Sequence, residues 1–402
     1  MDSEQRVHAL AYAIAAMIAG AVWAGSWLRP YHQWSLVAIW VYPVAAALTL
    51  TLGRSRQARV AIAIIVAMAA TVAPTLWLVF ESSTNRPART AQSEVVIVEQ
   101  AGVTIARGHN PYRKLASSFE LDRLEPATRD HFPYLPLAAV FGLPRRFTTS
   151  AWGDARIWLV TGTLLVLTLI PRRHRLTVAM PLVVLPPAAL LAATGGDDLA
   201  VLAALAVALA ATADERWIAA GVAFGIAVGM KQTSWLPAAV VVIWLWRRYG
   251  SSAALKVASV AGGIALAAML PFIVDDPSAA FDDLVRFPLT GSHRDVKNSP
   301  TVGGLIAKWT SIGESMLSRV SLVLIVVVLI VVVWRWHARS AQGAAAQAGM
   351  ALGATVVTSP GVRPGLLVYA VCTLWWAAFD APHAKVGRLL PASVSSSERR
   401  HE

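Results

Sequence analysis

Chemically useful side chains are few in this chain, and they cluster. Glu94 opens an apolar stretch running to Ala106 and is followed by Glu99. At about 100° per residue on a helix, the two carboxylates stand about 140° apart, so only one can enter a common site. A carboxylate at a membrane surface can draw a proton from an acceptor hydroxyl as a general base; equally, either residue can be solvated or paired with Arg86, Arg89 or Arg107. Asp197 and Asp198 follow Gly195-Gly196. They suit the start of a helix, where Asp caps and favours the positive end of the dipole, or a ligand site whose glycines let a ligand approach the backbone. Lys231 ends the glycine-punctuated run from Gly221 to Met230. It is read either as a snorkelling lysine or as the point-charge partner of a lipid phosphate. Arg294, within His293 to Asn298, and Arg363, within Ser359 to Arg363, add cations that could join it in an anion cradle.

The elements that must position these groups are membrane helices. The chain has 402 residues, of which 56% are hydrophobic and 14% charged, with a mean hydropathy of +0.56. Soluble domains carry about 25% charged residues, so the composition predicts an all-α, polytopic membrane protein. At about twenty apolar residues per span, it holds about twelve transmembrane or partly penetrating helices. The runs between 199 and 246 are short, which predicts broken or partly inserted helices, tolerated only where protein or a water-filled cavity satisfies the backbone. Between spans lies one long polar stretch, 81–150, with the aromatic-proline clusters Asn110-Pro111-Tyr112 and Phe132 to Leu137. Loops this long usually carry function or are disordered, and the apolar periodicity of this one predicts ordered interfacial helices.

The short loops bearing Arg54/Arg56/Arg59, Arg172/Arg173/Arg175, Arg247/Arg248 and Arg335/Arg339 fall on one parity, which the positive-inside rule makes cytoplasmic. Both termini are then inside. Loop 81–150, the turn at 195–198, the turn at Lys231 and the loops 275–313 and 359–365 face out. Residues 1–59 read as an N-terminal transmembrane hairpin, 60–383 as the membrane catalytic domain, and the serine-rich 384–402 as a disordered cytoplasmic tail.

Several chemistries find no support. No nucleotide-binding glycine loop, Walker-type lysine, Ser-His-Asp elbow or HExxH occurs, so an enzyme here would take a donor that arrives in the membrane. The single cysteine, Cys372, permits no intrachain disulfide. The acidic pairs lack the His spacing of a metal site, and no metal or other cofactor is expected. The net charge of +12 matches basic loops facing anionic lipid, and nucleic acid is not an expected partner.

The order Glu94, Ala101-Gly102, Arg107-Gly108-His109-Asn110-Pro111-Tyr112, Phe132-Pro133-Tyr134-Leu135-Pro136-Leu137, the glycine-rich helix to Lys231, and Ser359 to Tyr369 resembles the GT-C membrane glycosyltransferases. It is most similar to the actinobacterial mannosyltransferases that use polyprenyl-phosphate-mannose, over roughly 60–380. The resemblance implies a multi-helix fold whose first outer loop carries a catalytic acidic residue, usually Asp, at the position of Glu94. Glu reaches one carbon further, and the hairpin 7–52 stands ahead of the family's first span. The implied reaction is a single inverting displacement on the outer membrane face. Glu94 deprotonates the hydroxyl of a glycolipid or glycan acceptor, and Lys231, Arg363 and Arg294 neutralise the departing polyprenyl phosphate. Asp197, Asp198, Asn110, Tyr112 and Tyr134 are the candidates for acceptor or sugar contacts. Two other classes compete: a secondary transporter, which twelve spans with broken helices also fit, and a catalytically inactive envelope scaffold, which the Glu-for-Asp change allows.

Overall fold

The computed structural model describes residues 3–26, 28–84, 91–290, 302–309, 338–358 and 366–379, with isolated positions between 316 and 331. No strand occurs among them. In lipid a helix satisfies its own backbone hydrogen bonds, whereas an open sheet edge cannot. In chain order the principal helices are α1 (Ser3–Gly25), α2 (Arg29–Leu52), α3 (Arg56–Thr84), α4 (Ser93–Ala106), α5 (Ala155–Leu169), α6 (Arg172–Val184) and α7 (Pro186–Thr194). They continue with α8 (Asp198–Ala213), α9 (Trp217–Met230), α10 (Trp235–Tyr249), α11 (Ser251–Asp275), α12 (Ala341–Thr358) and α13 (Leu367–Phe379).

Among the described residues, α1, α2, α3 and α11 are long and apolar enough to cross a bilayer, and α6 with α7 makes a fifth span if the bent pair is counted as one. The expectation of about twelve spans is therefore met in part. Helices α5, α8, α9 and α13 are apolar but short, and the run at 316–334 lies largely outside the described residues. Leu10, Trp40, Leu255 and Val274 stand exposed on α1, α2 and α11, an apolar surface of the kind a bilayer covers.

The bend of 55° between α6 and α7 has a local cause. Pro186 and Pro187 supply no N–H, so carbonyls of the preceding turn lose their helical donors. Of these, Val183 O is met instead by Thr71 Oγ1 at 2.6 Å, and Val184 O, at the break itself, accepts from Tyr42 Oη at 2.8 Å. Through Tyr42 the N-terminal helical pair is thus tied to the break that leads into the Asp197 turn.

Helix α4 differs from the interfacial helix expected. Every residue from Val95 to Thr104 is buried, because α4 is covered on several sides rather than floating on lipid. It crosses the 3₁₀ segment Pro136–Arg146 backbone to backbone: a Cβ on Gly142 would stand 2.0 Å from Val98 O, and one on Gly102 2.3 Å from the Gly142 carbonyl carbon. Glycine at both positions makes this crossing possible. The helix stops at Gly108, whose φ of +76° is the left-handed stop that a glycine there predicts. The glycine-punctuated α9 packs equally closely on α11, where a Cβ on Gly225 would meet Ile264 Cβ at 2.9 Å. That packing sets the depth at which α9 delivers Lys231.

Candidate functional site

The turn between α7 and α8 is folded against α4. Gln92, which precedes α4, donates its backbone N–H to Thr194 O at 2.9 Å and its Nε2 to Thr194 Oγ1 at 2.8 Å. Gly195 has φ +98°, and a Cβ there would lie 1.9 Å from Val95 Cγ2 and close to the Arg156 side chain. The glycine therefore admits a neighbouring helix, where the sequence suggested space for a ligand. Asp197 occupies the N-cap position of α8 but makes no side-chain capping hydrogen bond. Its carboxylate is used elsewhere.

That use is Lys231. At the end of α9, Lys231 Nζ donates to Asp197 Oδ1 at 2.7 Å and to Asp198 Oδ1 at 2.5 Å. All three residues are at most 8% exposed, so Lys231 does not snorkel to solvent. Tyr369 Oη on α13 donates to Asp198 Oδ1 at 2.7 Å, and Lys231 Nζ sits 5.0 Å from the centre of the Tyr134 ring, within cation–π range. Tyr134 is carried there by its own segment. Leu135 N donates to Met230 O at 3.0 Å, and Asp283 holds the segment's start by accepting from Phe132 N at 2.8 Å and facing His131 Nδ1 at 2.6 Å.

The electrostatics are those of one cation among several carboxylates. Burial alone would lower the Lys231 pKa, but Asp197 and Asp198 outweigh it and hold the ammonium charged well above the usual lysine range. Burial pushes the Asp197 carboxyl up to about 7; Lys231 opposes this, while Asp198 and Glu94 reinforce it. Glu94, half-buried at the start of α4, is thus close enough for its charge to act on Asp197. Asp197 Oδ2 is buried with no hydrogen-bond partner, a costly state for a carboxylate oxygen unless a ligand or proton meets it. An ammonium has three N–H donors, and Lys231 spends two of them on these carboxylates.

The other sequence candidates fall in two places. Asn110 and Tyr112 sit in the turn after α4. Asn110 Nδ2 donates to Phe272 O and Asp275 Oδ2, each at 3.0 Å, its Oδ1 accepts from Tyr112 N at 3.0 Å, and Tyr112 Oη donates to Tyr134 O at 2.9 Å. These contacts fasten the loop to α11 and orient Tyr134. Arg294 and Arg363, like Arg86, Arg89 and the tail 384–402, lie outside the described residues. Among the described residues no group of three or more His, Cys, Asp and Glu is placed to hold a metal ion.

Glu99 is neither solvated nor paired with Arg107, as its sequence reading allowed. It is buried on another side of α4, accepts from Ala155 N at 3.0 Å and faces Arg145 at 3.4 Å. Burial first, and the Asp154 charge second, push its carboxyl from 4.5 to about 8 despite Arg145. A carboxyl raised in the folded state binds its proton more tightly there than in the unfolded chain. Its stabilising contribution is therefore full below pH 4.5 and lost as pH rises to about 8. The thermal midpoint is expected to fall across that window. Glu99→Gln, which stays neutral, should flatten the fall between pH 7 and 8, above the Asp197 range. A wild-type slope in that variant would mean Glu99 is already ionised at neutral pH.

Tyr369, Arg156 and Asp283, to which the sequence assigns no role, are held by hydrogen bonds at or beside the cluster. Tyr369 does close the Ser359 to Tyr369 motif, and Arg156 follows Asp154 at the head of an apolar run; a charge so placed is the only signal available.

No curated protein and no solved structure matches the chain. The model of Glycosyltransferase family 87 matches residues 132–360. That region holds Tyr134, Asp197, Asp198 and Lys231, while Glu94, Asn110 and Tyr112 precede it and Arg363 and Tyr369 follow it. The match covers more than half of the 402 residues, and the chain belongs to glycosyltransferase family 87.

Proposed function

We propose that this glycosyltransferase moves a sugar, mannose by its sequence resemblance, from a polyprenyl-phosphate donor to a glycolipid or glycan acceptor on the extracytoplasmic face of the cell membrane. The observation that carries the reading is the buried Lys231 between Asp197 and Asp198, with Glu94 at the edge of the same cluster. In this reading Glu94 takes the proton of the acceptor hydroxyl, the hydroxyl oxygen bonds to the anomeric carbon, and the bond from that carbon to the lipid phosphate breaks in the same step. The third N–H of Lys231 meets the leaving phosphate, with Arg294 and Arg363 assigned beside it. Asp197, Asp198 and Tyr134 contact sugar or acceptor, and Asn110 and Tyr112 act through the placement of Tyr134. The catalytic unit is 60–383, preceded by the hairpin 1–59.

A second reading of the base has its own support. Asp197 carries a buried, unpartnered Oδ2 and a carboxyl raised to about 7, the range in which a general base works best. Glu94 would then set the potential at Asp197.

The reading is tested by offering the purified protein a polyprenyl-phosphate sugar and, separately, a nucleotide sugar. Transfer from the lipid donor alone is expected; transfer from the nucleotide sugar alone would remove the assigned role of Lys231, and an absence of any transfer would favour the transporter or scaffold classes. The orientation has an independent check. A cysteine at Ser117, exposed beyond α4, is expected to label in intact cells, and one at Ser55, between α2 and α3, only after permeabilisation. The reverse pattern would put the cluster on the cytoplasmic side.

A further inference from the structure

About 140° round α4 from Glu94, an open cleft is bounded by α3, α4, Phe119 to Arg123 and the segment from Arg145 to Arg156. Its floor is built from buried charge. Arg156, 0% exposed, grips Asp154 through Nε at 2.9 Å and Nη2 at 2.7 Å, and donates to Ser82 Oγ at 3.0 Å. Beside it stands the pair of Glu99 and Arg145. The rim is different in character: Phe119 is 61% exposed, the Arg123 guanidinium lies 5.4 Å from its ring centre, and Glu120 stands 3.8 Å from Arg145.

This composition selects a ligand class. Arg156 is already paired with Asp154, and Arg145 lies against the Glu99 and Glu120 carboxyls, so an anion would have to displace a carboxyl group to reach either guanidinium, and a lipid tail would strand the polar floor. A neutral polyol can meet both signs, because each hydroxyl donates to a carboxylate and accepts from a guanidinium. An exposed aromatic ring supplies the flat apolar surface that one face of a pyranose ring needs. We propose that the cleft binds a neutral hexose unit of a glycan, beside the transfer cluster. The two regions adjoin, since Arg156 Nη1 also donates to Ala193 O at 3.3 Å and its stem packs at Gly195. The proposal rests on the transferase reading for the expectation that an acceptor glycan is present; the cleft would hold a sugar of that acceptor away from the reacting hydroxyl.

Binding is tested without donor, so that it is separable from transfer. Full-length protein in detergent micelles is offered mannobiose, and saturation transfer from protein to disaccharide is read by NMR. Wild type is expected to give a signal that Phe119→Ala and Arg123→Gln, both on the exposed rim, each lower by about fivefold or more, whereas Glu94→Gln leaves it in place. No signal from wild type, undiminished wild-type signals from both rim variants, or displacement of the disaccharide by equimolar inorganic phosphate would overturn the proposal. If the protein transfers no sugar from a lipid donor but the rim-dependent signal persists, the cleft stands and the donor reading falls. If transfer occurs while Phe119→Ala changes neither binding nor acceptor KM, the reverse holds.

Discussion

Glu94→Gln is expected to lower sugar transfer by roughly 10² to 10⁴ fold, the usual worth of a positioned general base, with the fold and donor binding retained. Gln keeps the shape of the half-buried side chain at the start of α4 but accepts no proton. Glu99→Gln should cost far less in rate, because its carboxyl points to Ala155 and Arg145 on another side of the helix. Glu94→Asp asks whether the longer side chain is needed here. Asp197→Asn is the decisive companion. If it abolishes transfer while Glu94→Gln does not, the base is the buried carboxyl with the unpartnered oxygen; if both variants transfer at the wild-type rate, the cluster is not the reaction site.

Lys231→Ala is expected to act twice. Removing the cation leaves Asp197 and Asp198 buried without their partner, and breaking a buried pair in this way costs roughly 3 to 5 kcal/mol. It also removes a charge-assisted contact to the donor phosphate, worth roughly 1.5 to 3 kcal/mol, or about ten- to hundredfold in donor use. The triple variant Lys231→Ala, Asp197→Asn, Asp198→Asn separates the two, since neutral side chains leave no buried charge uncompensated. Its thermal midpoint should recover towards wild type. Donor titration calorimetry then compares this variant with Asp197→Asn, Asp198→Asn, which lacks the same carboxylates but keeps the lysine: weaker donor binding by the triple variant supports the phosphate contact, and equal binding reduces Lys231 to a structural partner of the two aspartates.

The helical class, the shortness of α8, α9 and α10 and the glycine stop after α4 follow from local rules of hydropathy and capping, and all three are legible in the sequence. Asp197, Asp198 and Lys231 are also singled out by the sequence, because charges beside glycines in an apolar chain are conspicuous. Their mutual pairing was not legible. Lys231 follows Asp197 by 34 positions; α8 and α9 fold back on each other across the turn at 214–216, which returns the end of α9 to the Asp197 turn, and the packing of Val95 on Gly195 fixes that turn in place. Glu99 illustrates the same limit. Helical periodicity correctly separates it from Glu94 but cannot say that Arg145 and Ala155 wait on its side, so a buried residue reads as a solvated one. Asn110 and Tyr112 are visible as a motif, yet their hydrogen bonds to Asp275 and Tyr134 depend on where α11 ends.

The central claim is a single displacement from a lipid phosphate, and the anomeric configuration of the product tests it most directly. Purified protein given a β-linked polyprenyl-phosphate mannose and a glycan acceptor should yield an α-linked mannoside, with one polyprenyl phosphate released per sugar transferred, as read by NMR of the anomeric proton. A β-linked product would require two displacements and contradict the mechanism.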